Sequence, residues 1–305
     1  MAKTTFLQEM NLPDLIEQFG TDAKCRDYLE DLRWPDGPEC PRCESKKASR
    51  IKARNQWECG ECRYQYSVTS GTLFHDSHLP LWKWFLAIYL ITESKKGISA
   101  KQMQRLLGTR SYKTAWYLCH RIRAAVETDD KEQLLVGIVE ADETWIGGKH
   151  RGQGQGQKQR QMVMGAVQRD GSVRLRIGNV PSRATLHGFL NEVVADEAEA
   201  IFTDSWKPYI GIGDEDTRHE SVNHFREEWV RGQVHTQTIE NVWSLFKRSI
   251  IGSYHQLSVK HLPAYLDELE WRYNNRDNPY LFRDTVLALI HGDALPMKEL
   301  VAKAD

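Results

Sequence analysis

The stretch His235-Thr-Gln-Thr-Ile-Glu-Asn-Val-Trp-Ser-Leu-Phe-Lys-Arg-Ser-Ile250 carries one apolar stripe. Ile239, Val242, Trp243, Phe246 and Ile250 recur at three- and four-residue steps, which predicts an amphipathic helix. At 100° per residue, positions seven apart nearly superpose, so Glu240 and Lys247 share one edge of that stripe. Charges beside an apolar stripe are ordinary on solvated helices. Two isolated aspartates upstream, each set in or ending an apolar strand, give this pair its weight.

The first lies in Leu134-Leu-Val-Gly-Ile-Val-Glu-Ala-Asp142-Glu-Thr-Trp-Ile-Gly-Gly, an apolar strand with an acid set into it. A Gly- and Gln-rich basic loop follows over 147–161 and contains Lys149 and Arg151. Residues 161–168 and 173–180 read as two further strands joined by the turn Arg169-Asp-Gly-Ser. Ser182 or Thr185 starts an amphipathic helix with Leu186, Phe189, Leu190, Val193 and Val194 on its stripe. Ala200-Ile-Phe-Thr-Asp204 is a short buried strand that ends on the second aspartate. The opening helix comes next, and a last helix over about 258–273 closes the series.

Strand–strand–strand–helix–strand–helix is the order of a ribonuclease-H-like fold, in which the first and fourth strands lie side by side. Asp142 and Asp204 would then meet at one edge of a sheet, with Glu240 supplied by a helix. Carboxylates gathered in this way repel unless cations hold them, which calls for Mg²⁺ or Mn²⁺ with oxygen ligands. Two such ions about 4 Å apart can activate a water or a 3′-hydroxyl for in-line attack on phosphorus. Residues two apart share a strand face, so Glu140 could assist Asp142 while Glu143 should point away. His235 would lie near the site, or serve as a helix cap or a core residue.

The N-terminal half has a different character. Residues 10–34 read as helical and end at Trp34-Pro-Asp-Gly-Pro38. Cys40-Pro-Arg-Cys43 and Cys59-Gly-Glu-Cys62 then form two Cys-x-x-Cys knuckles, whose four thiolates suit a closed, structural zinc site in a zinc ribbon. An apolar helix over 79–93 is too short to cross a bilayer, which takes roughly 20 residues. Two short helices follow, one capped by Ser99, the other by Thr109 or Ser111, with Gly108 between them. They suggest a helix-turn-helix. From Lys95 to Arg123 there are eight basic residues and no acid. Lys101, Arg105, Arg110, Tyr112, Lys113, Tyr117, Arg121 and Arg123 are the candidates there for DNA contact, with Lys149 and Arg151 in the later loop.

The net charge of −1 over 305 residues conceals that local imbalance. The chain has no transmembrane-length apolar run and no secretory start, so a soluble, cytoplasmic protein is expected. With four of six cysteines in close pairs, metal is expected rather than disulfides.

Several segments taken together resemble bacterial insertion-sequence transposases with a zinc ribbon, most nearly the insertion-sequence-1595 type. Thr72-Leu-Phe-His, Lys95-Lys-Gly-Ile-Ser-Ala, Lys113-Thr-Ala-Trp and His120-Arg-Ile-Arg resemble their N-terminal part. Asp142-Glu-Thr-Trp-Ile-Gly-Gly-Lys, Thr203-Asp204-Ser-Trp, His235-Thr-Gln-Thr-Ile-Glu240 and Lys247-Arg-Ser-Ile-Ile-Gly-Ser-Tyr-His resemble their catalytic domain. The resemblance implies a DDE-type transposase, with Asp142, Asp204 and Glu240 as ligands for Mg²⁺ or Mn²⁺, two ions per site. It makes Lys247 a contact to DNA phosphate near the scissile bond. Asn241 is the rival third ligand; it lies about 100° round the helix from Glu240, away from Lys247.

The expected fold is a multidomain α+β chain, with a zinc ribbon and helix-turn-helix ahead of a ribonuclease-H-like mixed α/β core. The expected segments are a helical start (1–36), the ribbon (37–70), the helix-turn-helix region (71–130), the catalytic domain (131–280) and a C-terminal tail (281–305). The expected partners are double-stranded DNA, as terminal inverted repeats and target, and further copies of the chain in a dimer or larger assembly. A non-mobile nuclease of the same fold and a DNA-binding regulator with an inactive core are the competing readings.

Overall fold

The computed structural model describes residues 10–127, 133–147, 160–213, 215–254 and 257–302. The chain divides into two compact units: Met1–Val126 with Asp277–Asp305, and Glu127–Arg276.

The first unit opens with α1 (Leu12–Phe19) and α2 (Asp22–Arg33), capped by Asn11 and Thr21, whose side chains accept from Asp14 N and Lys24 N. A three-stranded antiparallel sheet follows: β1 (Ala48–Ile51), β2 (Gln56–Cys59) and β3 (Gln65–Tyr66). The apolar α3 (Leu81–Glu93) buries Trp84, Phe85, Ile88 and Ile91. Ser99 caps α4 (Ala100–Leu106) by accepting from Gln102 N at 3.2 Å. Gly108, at φ +60°, turns the chain into α5 (Tyr112–Ala125). The segment expected as a C-terminal tail is instead helical, as α9 (Leu281–His291) and α10 (Met297–Ala302). Phe282, Val286, Leu289 and Ile290 of α9 join the core that α1 to α5 build.

The second unit is a five-stranded sheet with helices on both faces. Its strands are β4 (Ile138–Ile146), β5 (Gln161–Gln168), β6 (Val173–Gly178), β7 (Ala200–Asp204) and β8 (Arg218–Val222), in the order β6-β5-β4-β7-β8. The first three are antiparallel neighbours, and β7 and β8 run parallel to β4. On one face α6 (Arg183–Val193) packs Leu186, Phe189, Leu190 and Val193 against Val139, Ala141, Met162 and Met164. On the other face α7 (Gln237–Ser249) and α8 (Leu262–Asn274) pack against Val163, Val167, Val173 and Leu175. The stripe predicted for α7 is the buried one: Ile239, Val242, Trp243 and Phe246 all lie in that core. No helix among the described residues is long and apolar enough to cross a membrane.

Candidate active site

The pairing of β4 with β7 sets Ile138 beside Ala200 and Glu140 beside Phe202. Beyond the last paired position, alternation puts Asp142 and Asp204 on the same face of these neighbouring strands as Glu140 and Phe202. Asp142 is held from above, where Trp243 Nε1 donates to Asp142 Oδ2 at 3.0 Å. The indole can lie this close because Asp142's partner on β5 is Gly165, where a Cβ would come within 2.6 Å of the Trp243 ring. Asp204 stands at the end of β7, accepting from Trp206 N at 3.0 Å.

Glu240 projects from the first turn of α7 and accepts from the Thr236 hydroxyl at 3.1 Å. Its other neighbour is His224, with Nε2 3.9 Å from Glu240 Oε1. An open pocket is lined by Asp142, Glu143, Glu240, Trp243 and Lys247, with Ser244 between the last two. Asn241 is exposed and does not line it. Asp204 is not among the lining residues either, although its charge acts on both Asp142 and Glu143.

Burial, then the charges of Glu143 and Asp204, push the Asp142 carboxyl up to about 8. Glu143 and Asp204 are raised as well, each chiefly by burial; the charge of His224 works the other way on Asp204. This is a concentration of negative charge that water solvates poorly. Among the described residues, the only group of three or more His, Cys, Asp or Glu with ligand atoms all within 4.8 Å is the four cysteines. Asp142, Asp204 and Glu240 therefore stand further apart than a closed cluster.

Three features of this site lie beyond the sequence expectations. Glu143 does not point clear of it; it lines the pocket and accepts from the buried Tyr209 hydroxyl at 2.8 Å. Glu140 does not line the pocket, because its carboxylate is engaged with the start of α7. His224 sits beside both Glu240 and Asp204. A histidine in a short 3-10 turn, with no motif around it, gave no signal for that place.

The ribbon shows the same construction twice. Glu44 N bonds to Cys40 O and Arg63 N to Cys59 O, and both Glu44 and Arg63 are left-handed, at φ 59° and 61°. Each Cys-x-x-Cys thus turns its two sulfurs to one point. Cys40 and Cys62 sulfurs are 3.7 Å apart and those of Cys43 and Cys59 3.5 Å. Four sulfurs around zinc at about 2.3 Å stand about 3.8 Å from one another, so the donor set fits a structural zinc.

The basic run divides. Lys101, Arg105, Arg110, Tyr112 and Lys113 are exposed. Arg121 and Arg123 are not: they are 4% and 1% exposed, which corrects the expectation that they reach phosphate. Arg121 donates to His75 O at 2.8 Å and lies over the Tyr117 ring, while the Tyr117 hydroxyl bonds to Leu295 O. These groups are taken up inside the unit because the C-terminal half of α5 is buried. Lys149 and Arg151 lie outside the described residues.

Comparison with known proteins gives this arrangement its class. Residues 134–274 match the ISXO2-like transposase domain, and residues 20–65 match the transposase zinc-ribbon domain. The chain thus carries a transposase domain of the insertion-sequence-1595 type, with a transposase zinc ribbon ahead of it. It is 26% identical over 280 residues to a Halobacterium salinarum protein described as an uncharacterized protein in transposable element ISH50; the match spans 84% of this chain and 92% of that one. Both matched domains imply DNA binding.

Proposed function

We propose that the chain is a DDE-type enzyme that cuts DNA at the ends of its element and joins the 3′-ends to target DNA. The observation that carries this reading is the pocket in which Asp142 of β4 meets Glu240 and Lys247 of α7, with Asp204 on the neighbouring strand β7. The strand order and the helices on both faces support a ribonuclease-H-like core.

In this reading Asp142, Asp204 and Glu240 hold Mg²⁺ or Mn²⁺, two ions per site. The donor set fits: hard carboxylate oxygens, one of them so disfavoured as an anion that its carboxyl is lifted to about 8. The bound ions would activate a water or a 3′-hydroxyl and stabilise the leaving oxygen. Trp243 donates to Asp142 Oδ2 and Thr236 to Glu240 Oε1, which orients each carboxylate. Tyr209 restrains Glu143 at the pocket wall. Lys247, two turns from Glu240 on the same edge, meets the phosphate backbone near the scissile bond.

α4 and α5 act as the DNA-reading pair, with exposed Tyr112 and Lys113 at the start of the second helix, the part that contacts base edges in a helix-turn-helix. The reaction brings two element ends together, which calls for a dimer or larger assembly in the cytoplasm. The test is a strand-transfer assay with a pre-cut terminal-repeat end. Joining of its 3′-hydroxyl to target DNA is expected. Cleavage without joining would identify a nuclease, and end binding with neither activity a regulator.

A further inference from the structure

Glu140 has no exposed surface, yet it is a carboxylate on the same face of β4 as Asp142, two residues away. Its oxygens are fully engaged. Oε2 accepts from Thr238 N at 2.6 Å and Ile239 N at 3.1 Å. Oε1 accepts from the Thr238 hydroxyl at 2.9 Å and from Arg169 Nε at 2.7 Å, and His235 Nδ1 stands 3.2 Å away. Thr238 and Ile239 are the second and third residues of α7, whose amides have no acceptor within the helix. A helix normally satisfies them from the residue that precedes it. Here that residue, Thr236, makes no such bond and gives its hydroxyl to Glu240.

We propose that Glu140 is the positioning residue of the site: it caps α7 from strand β4, so that the strand carrying Asp142 also sets Glu240. This rests on the reading of Asp142 and Glu240 as metal ligands. A helix rises 1.5 Å and turns 100° per residue, so fixing the amides of Thr238 and Ile239 fixes the height and phase of Glu240, Trp243 and Lys247. The carboxylate also lies at the positive end of the helix dipole. Arg169 closes the arrangement from behind, donating to Glu140 and to His235 O at 3.2 Å, with its guanidinium over the ring of Phe202. Phe202 is the residue that pairs with Glu140 across β4 and β7. The remote cap frees Thr236 to orient Glu240, and it makes the catalytic geometry depend on one buried anion outside the pocket.

The test uses Glu140→Gln in the full-length protein. Glutamine keeps the shape but sets an amide NH₂ against donors that need an acceptor. Hydrogen exchange without divalent ions should show α7's first turn exchanging at least about tenfold faster than in the parent, with β5 and α6 unchanged. Single-turnover cleavage in Mg²⁺ should fall at least about tenfold, with affinity for a terminal-repeat duplex held within about twofold. Should Glu140→Gln not fold, Thr238→Val removes one bond to the same carboxylate and should give the same exchange pattern, smaller in size. Replacing a ligand by cysteine should shift the metal preference toward Mn²⁺, so Mn²⁺ should restore Glu240→Cys and not Glu140→Cys. Unchanged exchange in α7, or Mn²⁺ rescue of Glu140→Cys, overturns the proposal. Failure of the parent protein to cleave would sink the metal-ligand reading and leave the exchange result to decide the cap.

Discussion

Trp243 Nε1 and Asp142 Oδ2 are 3.0 Å apart, and the contact exists because the residue beside Asp142 on the next strand is Gly165. An alanine there would put its Cβ within 2.6 Å of the indole. Gly165→Ala is therefore expected to cost about 1–3 kcal/mol of stability, the usual range for overpacking a filled core. It should also slow cleavage by displacing the group that holds Asp142. Trp243→Phe keeps most of the packing and removes only the donor. It should lower cleavage on the order of tenfold with a smaller loss of stability, read by thermal unfolding and single-turnover kinetics side by side.

The elevated carboxyl of Asp142 links metal, pH and stability. Without divalent ions it keeps its proton to about pH 8, whereas the unfolded chain releases it near the ordinary carboxylate value of about 4. The folded state thus binds this proton more tightly. Raising the pH from about 5 to about 8 should lower the stability of the metal-free protein. Metal takes the ionised form, so apparent Mg²⁺ affinity should rise over the same interval and then level off. Melting curves across pH with and without Mg²⁺ check both slopes, and Asp142→Asn should flatten them.

The split within the basic run gives contrasting expectations for residues of one type. Lys113→Ala or Arg105→Ala should weaken duplex binding and reduce the salt dependence by about one phosphate contact each. Arg121→Met should leave the salt slope unchanged and lower the melting temperature, because its guanidinium is spent on His75 O and the Tyr117 ring. Titrations at several salt concentrations separate the two behaviours.

Much of this site was legible in the sequence wherever a local period recorded it. The strands Gln161–Gln168 and Ala200–Asp204 and the stripe of α7 stand where their patterns placed them. Ser99 and Ser182 cap helices as their positions suggest. What escaped was non-local. Arg218–Val222 has a single buried apolar residue, so as an edge strand it shows little alternation. The stripe of Leu281–His291 faces a core built by the first 126 residues, and nothing nearby in the sequence announces that partner. Glu140 reads as a second acid beside Asp142; its role is fixed by amides 98 and 99 residues further on. Arg121 and Arg123 show the opposite error, since a run of like charges reveals composition but not which face of α5 is buried.

The most direct test of the account is single-turnover cleavage, in Mg²⁺, of a duplex carrying the element's own terminal repeat, by Glu240→Ala and Asn241→Ala proteins. Loss of a metal ligand removes several kcal/mol of transition-state stabilisation, so Glu240→Ala should fall by at least about a hundredfold while still binding the end. Asn241→Ala, exposed and clear of the pocket, should stay within about threefold of the parent. Full cleavage by Glu240→Ala, with loss of cleavage in Asn241→Ala, would contradict the site described here.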